Sequence, residues 1–228
     1  MHKTNVALVH GAWADGSSWA KVIAALAAEG VEATAAPLPL TSFADDVAAL
    51  DRALRRLDGP AVLVGHAYAG AVIAATRSSN VKALVYIAAL APDAGETVAD
   101  VFYRAAPHPQ APQLAPDADG LIWLPEPAFA AAFAQNAARE ELRLLAAVQR
   151  PISPACITVP LARPLWRDLP SWFLVAEQDR MIAPDTQRFM AERMKARVRA
   201  HQVDHTPLVT APAAVVDLIR EALASITL

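Results

Sequence analysis

The sequence has a single cysteine, Cys156, and only eight glycines among its 228 residues. One thiol excludes an internal disulfide framework and any site built from several cysteine ligands. Charge is scarce as well: Asp, Glu, Lys and Arg make up 19%, and 20 Lys+Arg against 23 Asp+Glu leave a net charge of −3. Without a basic excess there is no field to neutralise phosphates, which argues against a nucleic-acid partner. No apolar run reaches the roughly 18 residues that a membrane span needs. The first residues, Met1 to Val6, lack the layout of a signal peptide. A cytoplasmic protein with no membrane partner is the expectation. What the chain has in abundance is alanine, 53 of 228 residues. Much of its 55% hydrophobic content is therefore small side chains. The length fits one domain, or one domain with an insertion.

Short apolar runs alternate with longer segments of helical periodicity. Strands are predicted at 6–9, 31–36, 61–64, 83–87, 172–175 and 198–203. Helices are predicted at 17–29, 43–57, 69–77, 184–195 and 213–225. Trp19, Val22, Ile23 and Leu26 give the first helix its apolar side, with Ser17 or Ser18 as N-cap and Gly30 as C-cap. Val47, Leu50, Leu54 and Leu57 do the same for the second. This alternation implies a mostly parallel sheet with helices on both faces. One stretch departs from it. Pro92 to Pro170 holds 12 of the 18 prolines, no clear strand, and two helix-like patches at 128–138 and 140–149. Its aromatic and Leu content marks it as an insertion rather than a linker. The expected division is a core of 1–92 and 168–228 with an insertion of 93–167.

The segment Val62-Leu63-Val64-Gly65-His66-Ala67-Tyr68-Ala69-Gly70 carries the most information. A buried strand enters Gly65, turns, and leaves as a helix. This is the layout of the G-x-S-x-G nucleophile elbow, whose central residue sits on a strained turn above the sheet. Gly65 and the small Ala69 fit the two flanks. The nucleophile position holds Ala67, which has no nucleophilic atom.

These residues resemble the α/β-hydrolases, in particular the small cofactor-free serine esterases similar to plant methyl esterases and hydroxynitrile lyases. Four further matches lie in order along the chain. They are Val9-His10-Gly11-Ala12-Trp13 with Ser17-Ser18-Trp19, Val81 to Tyr86, Leu174 to Arg180, and Asp204-His205-Thr206-Pro207. The resemblance implies an α/β-hydrolase fold with a small helical cap, no metal or organic cofactor, and a small-molecule ester as partner. It places the oxyanion hole at the backbone amides of Ala12 and Tyr68. It also places His205, between the last strand and the terminal helix, as the catalytic base. Asp179, just after the 172–175 strand, is the acid that orients it, with Glu177, Asp185 and Asp204 as competitors.

The remaining candidates are weighed by residue type. Trp13, Trp123, Phe129, Phe133 and Trp166 are the candidate substrate-binding aromatics. His10 reads as a structural loop histidine, His66 as buried and hydrogen-bonded, and the Tyr68 ring as packing. Cys156 reads as structural, and His2, His108 and His201 as surface residues. Ala67 has two readings. The favoured one is a Ser→Ala exchange that leaves binding without turnover, because the other parts are in place. The other is a natural relative that only binds, or that uses His205 as its sole base. The parent activity expected is hydrolysis of a small to medium, neutral, partly aromatic carboxylic ester. A hydroxynitrile lyase-like C–C lyase and a non-catalytic ligand-binding homologue are the alternatives.

Overall fold

The computed structural model describes residues 4–226; Met1, His2 and Lys3, part of the amino-terminal reading above, lie outside them. Six strands form one sheet: β1 (Asn5–Val9), β2 (Ala33–Ala36), β3 (Ala61–His66), β4 (Val81–Ile87), β5 (Ser171–Ala176) and β6 (Arg197–His201). Their order is β2-β1-β3-β4-β5-β6. Every neighbouring pair is parallel, with Val6 opposite Val62 and Gly65 opposite Tyr86. The inner strands β1, β3 and β5 are buried at every residue. That is why they read as unbroken apolar runs: both faces of a parallel sheet are covered. The edge strand β6 carries arginines and is mostly exposed, a common guard against edge pairing.

Helices fill the connections: α1 (Ala20–Ala28), α2 (Phe43–Leu54) and α3 (Ala69–Ala75) precede β4. Between β4 and β5 lie α4 (Val98–Phe102), α5 (Glu126–Ala128) and α6 (Arg139–Val148). After β5 come α7 (Pro184–Arg193), α8 (Pro207–Thr210) and α9 (Pro212–Ile226). None of the described helices is long and apolar enough to cross a membrane. The helix starts follow cap chemistry. Ser42 accepts the Asp45 amide at 3.1 Å at the head of α2. Thr97 and Asp100 form a reciprocal capping box at the head of α4.

Several boundaries differ from the sequence pattern. The first helix opens with a tight turn, Gly16–Trp19, whose cap is Asp15 rather than Ser17 or Ser18. Gly30 follows α1 with φ +73°, as a helix-ending glycine should. β2 begins at Ala33, not Val31, and α2 ends at Leu54 rather than Leu57. The 128–138 patch is α5 plus a wide turn, Phe129–Phe133, closed by the Ala134 amide on the Phe129 carbonyl at 2.8 Å.

The stretch between β4 and β5 is fastened to the rest at several points. Trp13 N–H donates to the Arg150 carbonyl at 3.1 Å and Ser153 N–H to the Leu40 carbonyl at 3.0 Å. Within the stretch itself, Ile122 and Ile152 exchange amide bonds at 2.9 and 3.0 Å. The stretch is therefore tied to the loops at the carboxyl ends of β1 and β2, the end of the sheet where open α/β folds bind ligands.

Candidate active site

The elbow between β3 and α3 is built as its sequence suggests. Ala67 has φ +49°, a left-handed conformation that an L-residue adopts only under constraint. The constraint is visible on both sides. Ala67 N–H donates to the Ile87 carbonyl at 3.2 Å, and Leu90 N–H donates to the Ala67 carbonyl at 2.9 Å. A Cβ at Gly65 would lie 2.9 Å from the Ala69 carbonyl oxygen, so only glycine lets the chain fold back there. Gly70, whose role the sequence leaves open, is tighter still: a Cβ would meet the Leu90 carbonyl oxygen at 2.4 Å. Gly11 faces the elbow from β1, and a Cβ there would come 2.9 Å from that of Ala67.

His205 and Asp179 meet beside this turn. The His205 Nδ1–H donates to Asp179 Oδ2 at 2.8 Å, and both residues are buried. Asp179 Oδ1 also accepts the amides of Met181 and Ile182 at 2.7 and 2.8 Å, and its Oδ2 accepts Gln187 Nε2–H at 2.8 Å. These donors fix the carboxylate, which in turn fixes the imidazole tautomer: Nδ1 carries the hydrogen and Nε2 keeps its lone pair. Among the described residues, Nε2 takes no protein partner. Gln187, which also bonds the Ile182 carbonyl and the Ala176 amide, is missed by sequence reasoning. Nothing in the pattern of α7 separates it from an ordinary helix-surface glutamine.

The competing carboxylates do other work. Glu177 pairs with Arg188, and the exposed Asp185 pairs with the same guanidinium. Asp204 accepts Thr210 Oγ1–H at 2.6 Å and the Asn136 amide at 2.9 Å, shaping the loop that carries His205. His66 donates from Nε2 to the His205 carbonyl at 2.7 Å. Burial, with the neighbouring His205, holds its pKa well below the ordinary value, so His66 stays neutral. His10 bonds the Gly11 carbonyl at 2.9 Å and accepts the Leu38 amide at 3.0 Å, fixing the loop after β1. Burial lowers its pKa too.

The amides of Ala12 and Tyr68 meet no acceptor among the described residues, and both residues line the cavity at Ala67. The Tyr68 side chain does more than pack: its hydroxyl donates to Asp46 Oδ2 at 2.7 Å. The buried Asp46 also accepts the Leu40 amide at 2.7 Å. Burial pushes the Asp46 carboxyl above the usual carboxylate range, against the pull of these two bonds. Cys156 adjoins the pair, and burial together with Asp46 pushes its thiol up to about 12.

The cavity encloses about 620 Å³ of empty space, part of it open to solvent. Ala12, Trp13, Ala67, Tyr68 and His205 form one end. Leu90, Ile122, Ile152, Ile157, Met181 and Ile182 form apolar walls, with Val98, Ala99, Phe102, Tyr103 and Leu114 towards the opening. Among the described residues no Asp, Glu, Lys or Arg side chain lines it. Of the five candidate aromatics, only Trp13 does. Its φ is +57°, and its indole N–H donates to the Ile122 carbonyl at 2.9 Å. The other four are corrected. Trp123 is half exposed and bonded to Asp117 at 3.0 Å. Trp166 donates to the Pro92 carbonyl at 3.3 Å, away from the cavity. Phe129 and Phe133 are core, edge to face at 5.4 Å, and Phe133 backs the His205 ring at 5.3 Å rather than facing a ligand. Helical spacing gives a face, but not which space that face meets.

The fold is shared with solved structures of low sequence identity. Polyneuridine aldehyde esterase matches with a TM-score of 0.83 and 19% identity over 100% of both chains. A pyrethroid hydrolase from Sphingobium faniae JZ-2 matches at 0.80 and 18% over 97% of each. A variant of tomato methylketone synthase I complexed with β-ketoheptanoate matches at 0.83 and 18% over 99% of each. No curated protein matches the sequence. The sequence profile of the alpha/beta hydrolase family matches residues 6–218. The elbow, the six parallel strands and that profile agree, and the chain belongs to the alpha/beta hydrolase family.

Proposed function

We propose that this is the site of a carboxylic ester hydrolase on the Ser-His-Asp plan, here with Ala67 at the nucleophile position. The observation that carries the reading is the bonded His205–Asp179 pair beside a left-handed Ala67, with the free amides of Ala12 and Tyr68 facing the same cavity. A serine at 67 would attack the ester carbonyl while His205 Nε2 takes its proton. The two amides would hold the oxyanion, and His205 would return the proton to the departing alcohol. Water, activated by the same imidazole, would then release the acid. Uncharged walls favour a neutral, apolar ester, and residues 93–167, read as a cap, supply much of them. With Ala67 the chain binds such an ester and barely turns it over, since loss of the nucleophile alone removes about 10⁶ of turnover.

The test is Ala67→Ser, assayed with short- and medium-chain p-nitrophenyl esters beside the chain as it stands. A gain of several orders of magnitude supports the reading. No gain in a folded protein refutes it.

One observation favours a second reading. Among the described residues His205 Nε2 has no protein partner and no serine stands in front of it, so it could act alone as the acid–base group on a bound carbonyl compound, giving a proton to the enolate left when a β-keto acid loses CO2. A structural relative is a methylketone synthase seen with a β-keto acid. Decarboxylation of β-ketoheptanoate by the unaltered chain, abolished by His205→Ala, would establish that reading instead. The absence of any Lys or Arg from the cavity walls speaks against cyanohydrin chemistry, which wants a cation beside the leaving cyanide.

A further inference from the structure

The cavity at Ala67 continues beyond its opening. A second hollow begins where the first stops, and Phe102, Tyr103, Leu114 and Met181 face both. The far wall of the outer hollow is the chain from Ala105 to Ala115, which leaves the end of α4 and forms no helix or strand. Pro107, Pro109 and Pro112 hold its backbone angles, so this wall is stiff without being regular. The Ala111 amide closes it on the His108 carbonyl at 2.8 Å.

Charge is missing here too. Among the described residues no Asp, Glu, Lys or Arg side chain lines the outer hollow, whose polar side chains are His108 and Gln113. The one cation in the adjoining chain, Arg104, is turned away, its guanidinium stacked 3.6 Å above the Phe189 ring. Tyr103 sits at the seam between the hollows and is 62% exposed, its ring edge to face with Phe102 at 4.9 Å. An aromatic ring left in water at the junction of the two hollows gains most from a ligand that passes over it.

We infer that the two hollows form one substrate channel. The inner chamber takes the carbonyl and the groups next to it. The outer chamber takes an uncharged, elongated apolar arm, which passes between Phe102, Tyr103, Leu114 and Met181. The substrate class is then a carbonyl compound, in the first instance an ester, with one extended aliphatic or aryl-tipped chain and no ionised end group. This rests on the reading of the inner chamber as a carbonyl site.

The experiment needs no turnover. Ethyl esters of straight-chain acids, from ethyl acetate to ethyl decanoate, are titrated into the chain as it stands. Binding is followed by calorimetry and by the change in tryptophan fluorescence, to which Trp13 in the inner wall contributes. Each methylene that leaves water strengthens binding about fourfold. Affinity is expected to climb along the series past the length that fills the inner chamber. Ala111→Asp puts a charge in the outer wall only. It should weaken the longest esters tenfold or more and leave ethyl acetate and ethyl butanoate unchanged; Gln113→Glu should do the same. A plateau at the short esters overturns the channel and leaves the carbonyl site standing. An effect of either variant that is equal at all lengths does the same. Failure of every ester to bind a protein still folded by circular dichroism overturns both.

Discussion

Tyr68→Phe removes one donor from a buried carboxylate and leaves the aromatic ring to fill the same space. Asp46 is fully buried and accepts bonds from the Tyr68 hydroxyl and the Leu40 amide, each at 2.7 Å. A hydrogen bond to an ionised group contributes about 1.5–3 kcal/mol, and an unmet buried acceptor keeps its full desolvation cost. In a chain of this length 1 kcal/mol corresponds to about 2–4 °C, so the melting temperature should fall by about 3–12 °C. The loss should depend on pH. Burial already raises the Asp46 carboxyl, while the Tyr68 bond pulls it down; without that bond it rises further. A carboxyl raised in the folded state binds a proton that the unfolded chain has released. Stability therefore declines as pH climbs from the ordinary carboxylate range through the folded value, then levels. The variant declines over a wider window, so its deficit is largest near pH 8 and smaller near pH 5, where its carboxyl can take a proton. Urea unfolding of both proteins at the two pH values measures this. A deficit under about 0.5 kcal/mol, or one equal at both pH values, would refute the reasoning.

Other expectations follow from the same geometry. In the Ala67→Ser background, Asp179→Asn should lower kcat for p-nitrophenyl ester hydrolysis by about 10⁴, because the imidazole loses the partner that fixes its tautomer; a loss under tenfold would contradict that role. Phe133→Ala should cost about 3–5 kcal/mol in denaturant unfolding, since the ring is wholly buried beneath His205. Retention of full stability would mean that the ring is not packed as described. Gly70→Ala forces a Cβ towards the Leu90 carbonyl oxygen, 2.4 Å away. Backbone has to move, and thermal unfolding should show a loss of about 1–3 kcal/mol or more.

The features legible in the sequence were those with a local cause. Strand–helix alternation follows from which faces are covered, and the Gly65–Gly70 turn follows from backbone crowding within a few residues. His205 and Asp179 were legible through their order along the chain. The cavity walls were not. Ile122, Ile152 and Met181 come together from segments far apart in sequence, and nothing in any one of them marks it as lining rather than core. The same distance hid Tyr68. Its ring looks like packing until α2 brings Asp46 beside it, and Cys156 looks isolated until its short turn lands on the same pair. Trp123, Phe129, Phe133 and Trp166 stand out in the sequence as the aromatics of the insertion, and aromatic character governs how much a side chain buries, not where.

The strand order has a consequence for how the protein is made. Chains emerge from synthesis amino end first and fold as they do so. The first four strands in sequence are also the four contiguous strands β2-β1-β3-β4 of the sheet. A nascent chain ending near residue 90 can therefore lay down two thirds of the sheet, with the elbow already turned. It cannot finish. The long carboxyl-terminal helix α9, which packs against β3, β4 and β5, is not yet made, so one apolar face of the half-built sheet stays bare. Asp179 and His205 arrive with that last third. A ribosome-bound chain halted before α9 should need a chaperone to stay soluble.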